Sequence, residues 1–329
     1  MSQGIRVSVV IPAFGVENYL SECVDSVLNQ SFRNIEVIIV DDGSTDISPE
    51  ICDSYSVFDD RIIVIHKENG GLSSARNAGL KVLTGDYFAF LDSDDYWNDS
   101  EFLNNIFNES GYENADLILF GYSNDISLVE NYKRNIKLEK ELSKKDKTEC
   151  IQKLILHDKI QSSACNKFVS MHFQPVDKFY FIEGIYSEDI DWTARLLICV
   201  RSLYYFDDYV YYYRANDTSI TNSKKEKNII DLITQIRRIV SLSETIKNEN
   251  YYEWFMNYCS YQYITLLNCM LEVSDKNYDI TKYRHQAEQY KFLLKYHVNK
   301  KVKLVYIFDR LLGFKGMHRA LKIYLKMRG

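Results

Sequence analysis

GGLSSARNAGLKVLTGDYFAFLDSDD, residues Gly70 to Asp95, is the stretch on which the fold turns. A Gly-Gly turn and a polar start predict an amphipathic helix over Leu72–Leu83. Tyr87-Phe88-Ala89-Phe90-Leu91 follows as an apolar run that reads as a strand buried on both faces. It ends at Asp92-Ser93-Asp94. Alternating carboxylates at the C-terminal end of a buried strand place two hard oxygen ligands where a divalent cation can bridge a nucleotide's phosphates. Asp-x-Asp also occurs in many solvated loops, so the buried strand before it gives the motif its weight.

Upstream, strand-like and helix-like segments alternate. Arg6–Ala13, Ile35–Val40 and Arg61–His66 read as strands, and Glu17–Gln30 has helical spacing at Tyr19, Leu20, Cys23, Val27 and Leu28. Ser48-Pro49 supplies an N-cap and a proline at the first helical position. Such alternation predicts an α/β fold with a mostly parallel sheet flanked by helices, whose ligands bind beyond the C-terminal strand ends. Further on, Ala115–Gly121 and Leu203–Tyr213 read as strands and the Lys- and Glu-rich Tyr132–Glu149 as a solvated helix or loop. From about Lys224 the period is helical, near 228–247, 251–273, 280–297 and in a final pair over 300–328. The expected domains are 1–222, carrying the site, and 223–329, a helical C-terminal region.

The 329 residues suffice for a sizeable core, and 46% apolar with 26% charged residues is ordinary globular composition. Seven widely spaced cysteines with no Cys-x-x-Cys pair predict reduced core thiols, with neither a zinc site nor a disulfide framework. The six histidines show no metal-ligand spacing. A strand beginning by Arg6 leaves no room for a signal peptide, and no run of 18 apolar residues could span a bilayer. The net charge of −6 is uneven: from Asn299 onward nine Lys or Arg residues face one acid, Asp309, a net of +8 that leaves −14 for the other 298 residues. A basic tail with apolar interleaving predicts an anionic membrane surface as partner, and no nucleic acid.

Four blocks in order, VSVVIPAFGVENYLSECVDSVLNQSF, VIIVDDGSTDISPEIC, GGLSSARNAGL with GDYFAFLDSDDYW, and EDIDWTARLL, resemble the family 2 glycosyltransferases of GT-A fold, in the bacterial branch that builds capsule, exopolysaccharide or lipopolysaccharide units. They cover roughly residues 5–200. The resemblance implies a Rossmann-like GT-A domain, an inverting transfer that depends on Mn²⁺ or Mg²⁺, and a UDP-sugar donor. By the same resemblance Pro12, Ala13 and Phe14 border the base and ribose, Glu17 contacts the ribose or base, and Asp42 accepts the uracil N–H. Arg76 holds the base side, Asp92 faces the ribose or sugar with Ser93 beside it, and Asp94 binds the metal. Asn166 and Lys167 match an element lining the donor sugar, with Cys165 where many relatives carry tryptophan. Arg214, with Ser219, Ile220 and Thr221, matches a loop that closes over the diphosphate.

The catalytic base implied by the resemblance lies in Glu188-Asp189, Asp189 first and Glu188 second, at the start of a helix. Both could equally serve a helix N-terminus through the macrodipole, as Asp41, Asp42 and Asp46 could serve a turn. The expected reaction moves a single sugar to a hydroxyl of a glycan, polyprenyl-diphosphate-linked at the cytoplasmic leaflet, by a cytoplasmic enzyme peripheral to the membrane. The C-terminal helices offer a surface for a homodimer. The alternatives are a non-catalytic nucleotide-sugar or glycan-binding protein and a sugar nucleotidyltransferase, although Phe14-Gly15-Val16-Glu17 offers nothing to grip a triphosphate.

Overall fold

Unbroken β-branched and apolar runs set the centre of the fold. In the computed structural model β1 (Val7–Ala13) and β2 (Ile35–Asp41) are buried at every position, as strands covered on both faces must be. They pair in parallel from Val7↔Ile35 to Ala13↔Asp41. β3 (Ile62–His66) joins β2 and β4 (Tyr87–Phe90) joins β1, again in parallel. With β5 (Tyr96–Trp97), β6 (Leu117–Ser123), β7 (Lys167–Ser170) and β8 (Leu203–Tyr212), the sheet order is β3-β2-β1-β4-β7-β6-β8-β5. β6 and β8 are parallel, whereas β7 runs antiparallel to β4 and β6, and β5 antiparallel to β8. The structure describes residues 4–108, 112, 114–215, 226–275 and 280–326.

The helices follow from local chemistry. α1 (Leu20–Leu28) buries Leu20, Cys23, Val24 and Val27, a single stripe at helical spacing. α2 (Ser48–Phe58) carries its proline in the first turn. α3 (Leu72–Leu80) starts at Gly71, whose φ of 83° suits glycine. It lies so close on β1 that a Cβ at Gly79 would sit 2.4 Å from Val10 Cγ1. α4 (Phe102–Phe107), α5 (Ile126–Asn131), α6 (Ile136–Leu142) and α7 (Lys147–Leu156) follow. α6 and the start of α7 lie in Tyr132–Glu149, read as a solvated helix or loop, and nearly all of that segment is exposed or half-buried. Glu139 is buried because Arg134 donates to it at 2.8 and 2.7 Å, Tyr112 Oη at 2.6 Å and the Asp207 N–H at 3.0 Å. That network turns a charged residue into a core one.

One buried acid ties the strands together. Glu36 on β2 accepts from Ser8 Oγ on β1, from Thr84 N at 2.5 Å and Oγ1 at 2.8 Å, and from Gly85 N at 3.1 Å, with Arg6 3.2 Å away. Burial alone would raise its pKa, yet these hydrogen bonds and Arg6 hold it below the usual value.

The chain forms two compact units, one of Met1–Cys150, Ser163–Gly184 and Cys199–Ala215, the other of Ile151–Ser162, Ile185–Ile198 and Asn216–Gly329. The first holds the whole sheet. The second is built on α8 (Asp189–Cys199), α9 (Glu226–Ser243), α10 (Glu249–Asp275), α11 (Thr281–Gln289) and α12 (Lys300–Lys326). α11 is shorter than the 280–297 expected, giving way to a 3₁₀ turn at Lys291–Lys295. α12 is the expected final pair, with non-helical Gly313 (φ 66°) as the break. Among the described residues no helix is long and apolar enough to cross a membrane. All seven cysteines are free thiols; six are buried, but Cys199 is exposed, contrary to the expectation of core thiols throughout.

Candidate active site

Parallel pairing brings the C-terminal ends of β1, β2 and β4 to one edge of the sheet. Asp42 N donates to Ala13 O at 2.9 Å and Leu91 N to Val10 O at 3.1 Å, so the segments leaving these strands stay side by side. At the end of β1, Pro12 and Ala13 are buried while Phe14 is 55% exposed. The next residues are laced to the loop after β2: Gly15 N donates to Ser44 Oγ at 3.2 Å, Val16 N to Ser48 Oγ at 3.0 Å and Glu17 N to Asp46 at 3.2 Å. The Glu17 carboxylate accepts from Ile47 N at 3.2 Å. Gly43 turns with φ 75°, and a Cβ there would sit 2.9 Å from Asn69 N.

The two aspartates after β2 have different partners. Asp41 accepts from Ser44 N at 3.0 Å and lies 2.9 Å from His66 Nδ1. Asp42, 3% exposed, accepts from Gly70 N at 3.0 Å, Gly71 N at 2.7 Å and Lys67 Nζ at 2.5 Å. A carboxylate offers about four lone-pair sites. Asp42 thus anchors the Gly70-Gly71 turn, and a uracil imide would have to use its remaining lone pair or displace Lys67.

Beyond β4 the acids form a graded cluster. Arg76, reaching from α3, packs its guanidinium against the rings of Phe90 and Phe181, 5.6 and 5.2 Å away, and donates to Asp92 Oδ1 at 2.9 Å. Asp92 and Asp94 are half-buried, and Ser93 between them is buried. Asp95, which the sequence reading passed over, is buried and accepts from Tyr211 Oη at 2.5 Å and Arg214 N at 2.8 Å. Burial first, then the charges of Asp92 and Asp94, push its pKa up to about 8. Arg214 donates through Nε to Asp94 O at 2.9 Å, pairs with Glu22, and lies over the rings of Tyr19 and Tyr96 at 5.0 and 5.7 Å. Ser219, Ile220 and Thr221 lie outside the described residues.

Cys165 joins this cluster, its Sγ 3.7 Å from Arg76 Nη2. Asn166 and Lys167 are buried and point into the protein: Asn166 Nδ2 donates to Phe120 O at 3.0 Å, and Lys167 Nζ to Asn166 Oδ1 at 2.7 Å and to Ser163 O. Asn77, one residue after Arg76, clasps the backbone of Phe181 at 2.7 and 3.0 Å and donates to Glu183 at 3.0 Å. The first unit therefore gathers Pro12–Glu17, Asp42, Arg76, Asp92–Asp95, Cys165 and Arg214 along one strand-end edge.

Glu188 and Asp189 belong to the second unit, half-buried where α8 begins. α9 fixes that start. Asp231 accepts from Tyr186 N at 2.9 Å, Gln235 Nε2 donates to Ser187 O at 3.1 Å, and Arg238 Nε to Asp191 at 2.9 Å. Residues 231, 235 and 238 share one helical face, so a rail of side chains holds Ser187 at φ 58° and sets the direction in which α8 leaves. Asp191, the third acid of the EDID run, is buried and also takes Arg195 at 2.8 Å.

A divalent cation suits the first unit's acids. Among the described residues no group of three His, Cys, Asp or Glu side chains converges on one point. Asp92 and Asp94 are half-buried after β4 and supply the hard oxygens that such a cation takes alongside diphosphate and water.

The family description "Glycosyl transferase family 2" matches residues 8–171. Glycosyltransferase GlyG of Streptococcus pneumoniae serotype 4 is 30% identical over 233 residues, covering 66% of this chain and 73% of GlyG. The chain belongs to glycosyltransferase family 2. It is a glycosyltransferase, and the nucleotidyltransferase alternative falls. Coverage of relatives is uneven: the match to the S. pneumoniae serotype 4 glycosyltransferase GlyA, 43% identical over 117 residues, covers 36% of this chain and only 17% of GlyA. S. aureus TarS 1-349, solved in complex with UDP-GlcNAc, superposes with a TM-score of 0.67 at 19% identity, over 98% of this chain and 92% of TarS 1-349. That likeness establishes the GT-A fold of this family 2 member.

Proposed function

We propose that this glycosyltransferase moves one sugar, with inversion, from a UDP-sugar to a hydroxyl of a glycan acceptor in bacterial surface polysaccharide synthesis. The observation that carries the reading is the strand-end edge where Arg76 pairs with Asp92 and Arg214 holds the Asp94 carbonyl, beside Pro12–Phe14 and Asp42. TarS, of the same fold, is solved with UDP-GlcNAc, which favours a uridine donor. Arg76 orients Asp92 toward the sugar or ribose; Phe14 and Glu17 flank the base. Asp94, with Asp92, would hold Mn²⁺ or Mg²⁺, which when bound neutralises charge on the departing diphosphate. Asp189, with Glu188 as second choice, takes the proton from the acceptor hydroxyl as it attacks the anomeric carbon from the face opposite the leaving group. The candidate donor sugars are glucose, galactose and their N-acetyl forms. A lipid-linked acceptor matches a chain whose basic tail suits an anionic membrane surface.

The test is transfer and donor hydrolysis, read as UDP release from a panel of UDP-sugars. Asp189→Asn loses roughly 10²–10⁴-fold in turnover while UDP binding persists, the range expected for a general base. Full turnover in that variant would remove Asp189 from the mechanism. Absence of UDP release from every donor, with UDP still bound, would favour a non-catalytic binding protein.

A further inference from the structure

The first half of α12 presents two opposed faces. Val302, Val305 and Asp309 are buried, with α12 packed on α10 and on the Lys291–Lys295 turn. The only acid in the tail is therefore turned inward, where Lys291 pairs with it at 3.1 Å. On the opposite face, at helical spacing, stand Lys300, Lys303, Ile307, Arg310 and Leu311, all exposed. Ile307 is 42% and Leu311 75% exposed, and Leu312, 54% exposed, follows just before the break at Gly313. Cations and large apolar side chains thus share one surface, and no carboxylate of this half-helix offsets them.

That mixture discriminates among occupants. A second protein copy would place these cations against an acidic counter-surface and the leucines in a dry seam. A free polyanion would leave Ile307 and Leu311 in water. A lipid surface satisfies both at once, with cations among anionic headgroups and apolar side chains at the acyl boundary. We propose that the face of α12 formed by Lys300, Lys303, Ile307, Arg310 and Leu311, ending in the Leu311-Leu312 step before Gly313, docks the second unit onto an anionic phospholipid surface. The inference is independent of the reaction, because docking requires no donor and no turnover.

The experiment is co-sedimentation of the full chain with vesicles of phosphatidylcholine alone or mixed with phosphatidylglycerol, at low and high salt. Binding only to the mixed vesicles, weakened by salt, is expected. Combined Lys300→Gln, Lys303→Gln and Arg310→Gln lowers the partition coefficient roughly 10²-fold. Ile307→Ser with Leu311→Ser lowers it about tenfold or more. Because these side chains are exposed, both variants keep the parent's melting temperature. Equal binding to neutral vesicles, or binding untouched by either set of substitutions, would overturn the proposal. A concentration-dependent dimer that Leu311→Ser abolishes, without vesicle binding by the parent, would assign the face to a second copy instead.

Discussion

His66, the last residue of β3, shows how a single residue couples to pH. Its ring bridges Asp41 at 2.9 Å and Asp53 at 3.1 Å, and these hydrogen bonds raise its pKa above the ordinary histidine value. A raised pKa in the folded state stabilises the protein fully below the unfolded value of about 6.5, and the contribution disappears as pH rises through the folded value. His66→Asn therefore costs stability at pH 5.5 and little at pH 8.5, a difference that urea unfolding at the two pH values measures. An equal cost at both would mean that the imidazolium charge is not what the bridge uses. Residue roles were legible in the sequence only where a motif named them. Arg76 meets Asp92, but Asp42's engagement with Gly70, Gly71 and Lys67 depends on a turn 28 residues away in the chain. Nothing local to Asp95 foretells that Tyr211, 116 residues on, closes over it.

Among elements, the parallel core was the most legible part, since Val7–Ala13 and Ile35–Asp41 carry their burial in composition alone. β5 and β7 were not legible. At two and four residues they are too short to show a period, and they exist because β8, β4 and β6 offer edges to pair with. Glu36 makes the element-scale prediction. It joins β1, β2 and the turn before β4 through buried hydrogen bonds, so Glu36→Gln, which points an amide group at N–H and O–H donors, costs about 2–4 kcal/mol. Its depressed pKa adds a pH signature: the Glu36 contribution is present above the unfolded value of about 4.3 and is lost as pH falls through the folded value. Denaturant melts of the two proteins from pH 7 downward should converge in acid. Parallel curves would show that the carboxylate's charge is not the tie.

On the scale of the whole molecule, the candidate residues lie in two units. The sheet unit carries the residues proposed for the donor side, and the helical unit carries Glu188 and Asp189 beside the start that α9 holds, together with the basic face of α12. The charge asymmetry was plain in the sequence. That Asp309 faces inward was not, because a lone acid in a basic helix has no local sign of its direction. The central claim is the uridine donor site at the strand-end edge, and calorimetric binding tests it most directly. UDP, GDP, CDP and ADP are titrated into the full chain, each with and without Mn²⁺, and into Asp94→Ala. Binding selective for UDP and strengthened by Mn²⁺ is expected, with the metal dependence lost in Asp94→Ala. Preference for another base, or UDP binding indifferent to Mn²⁺ and to Asp94, would contradict it.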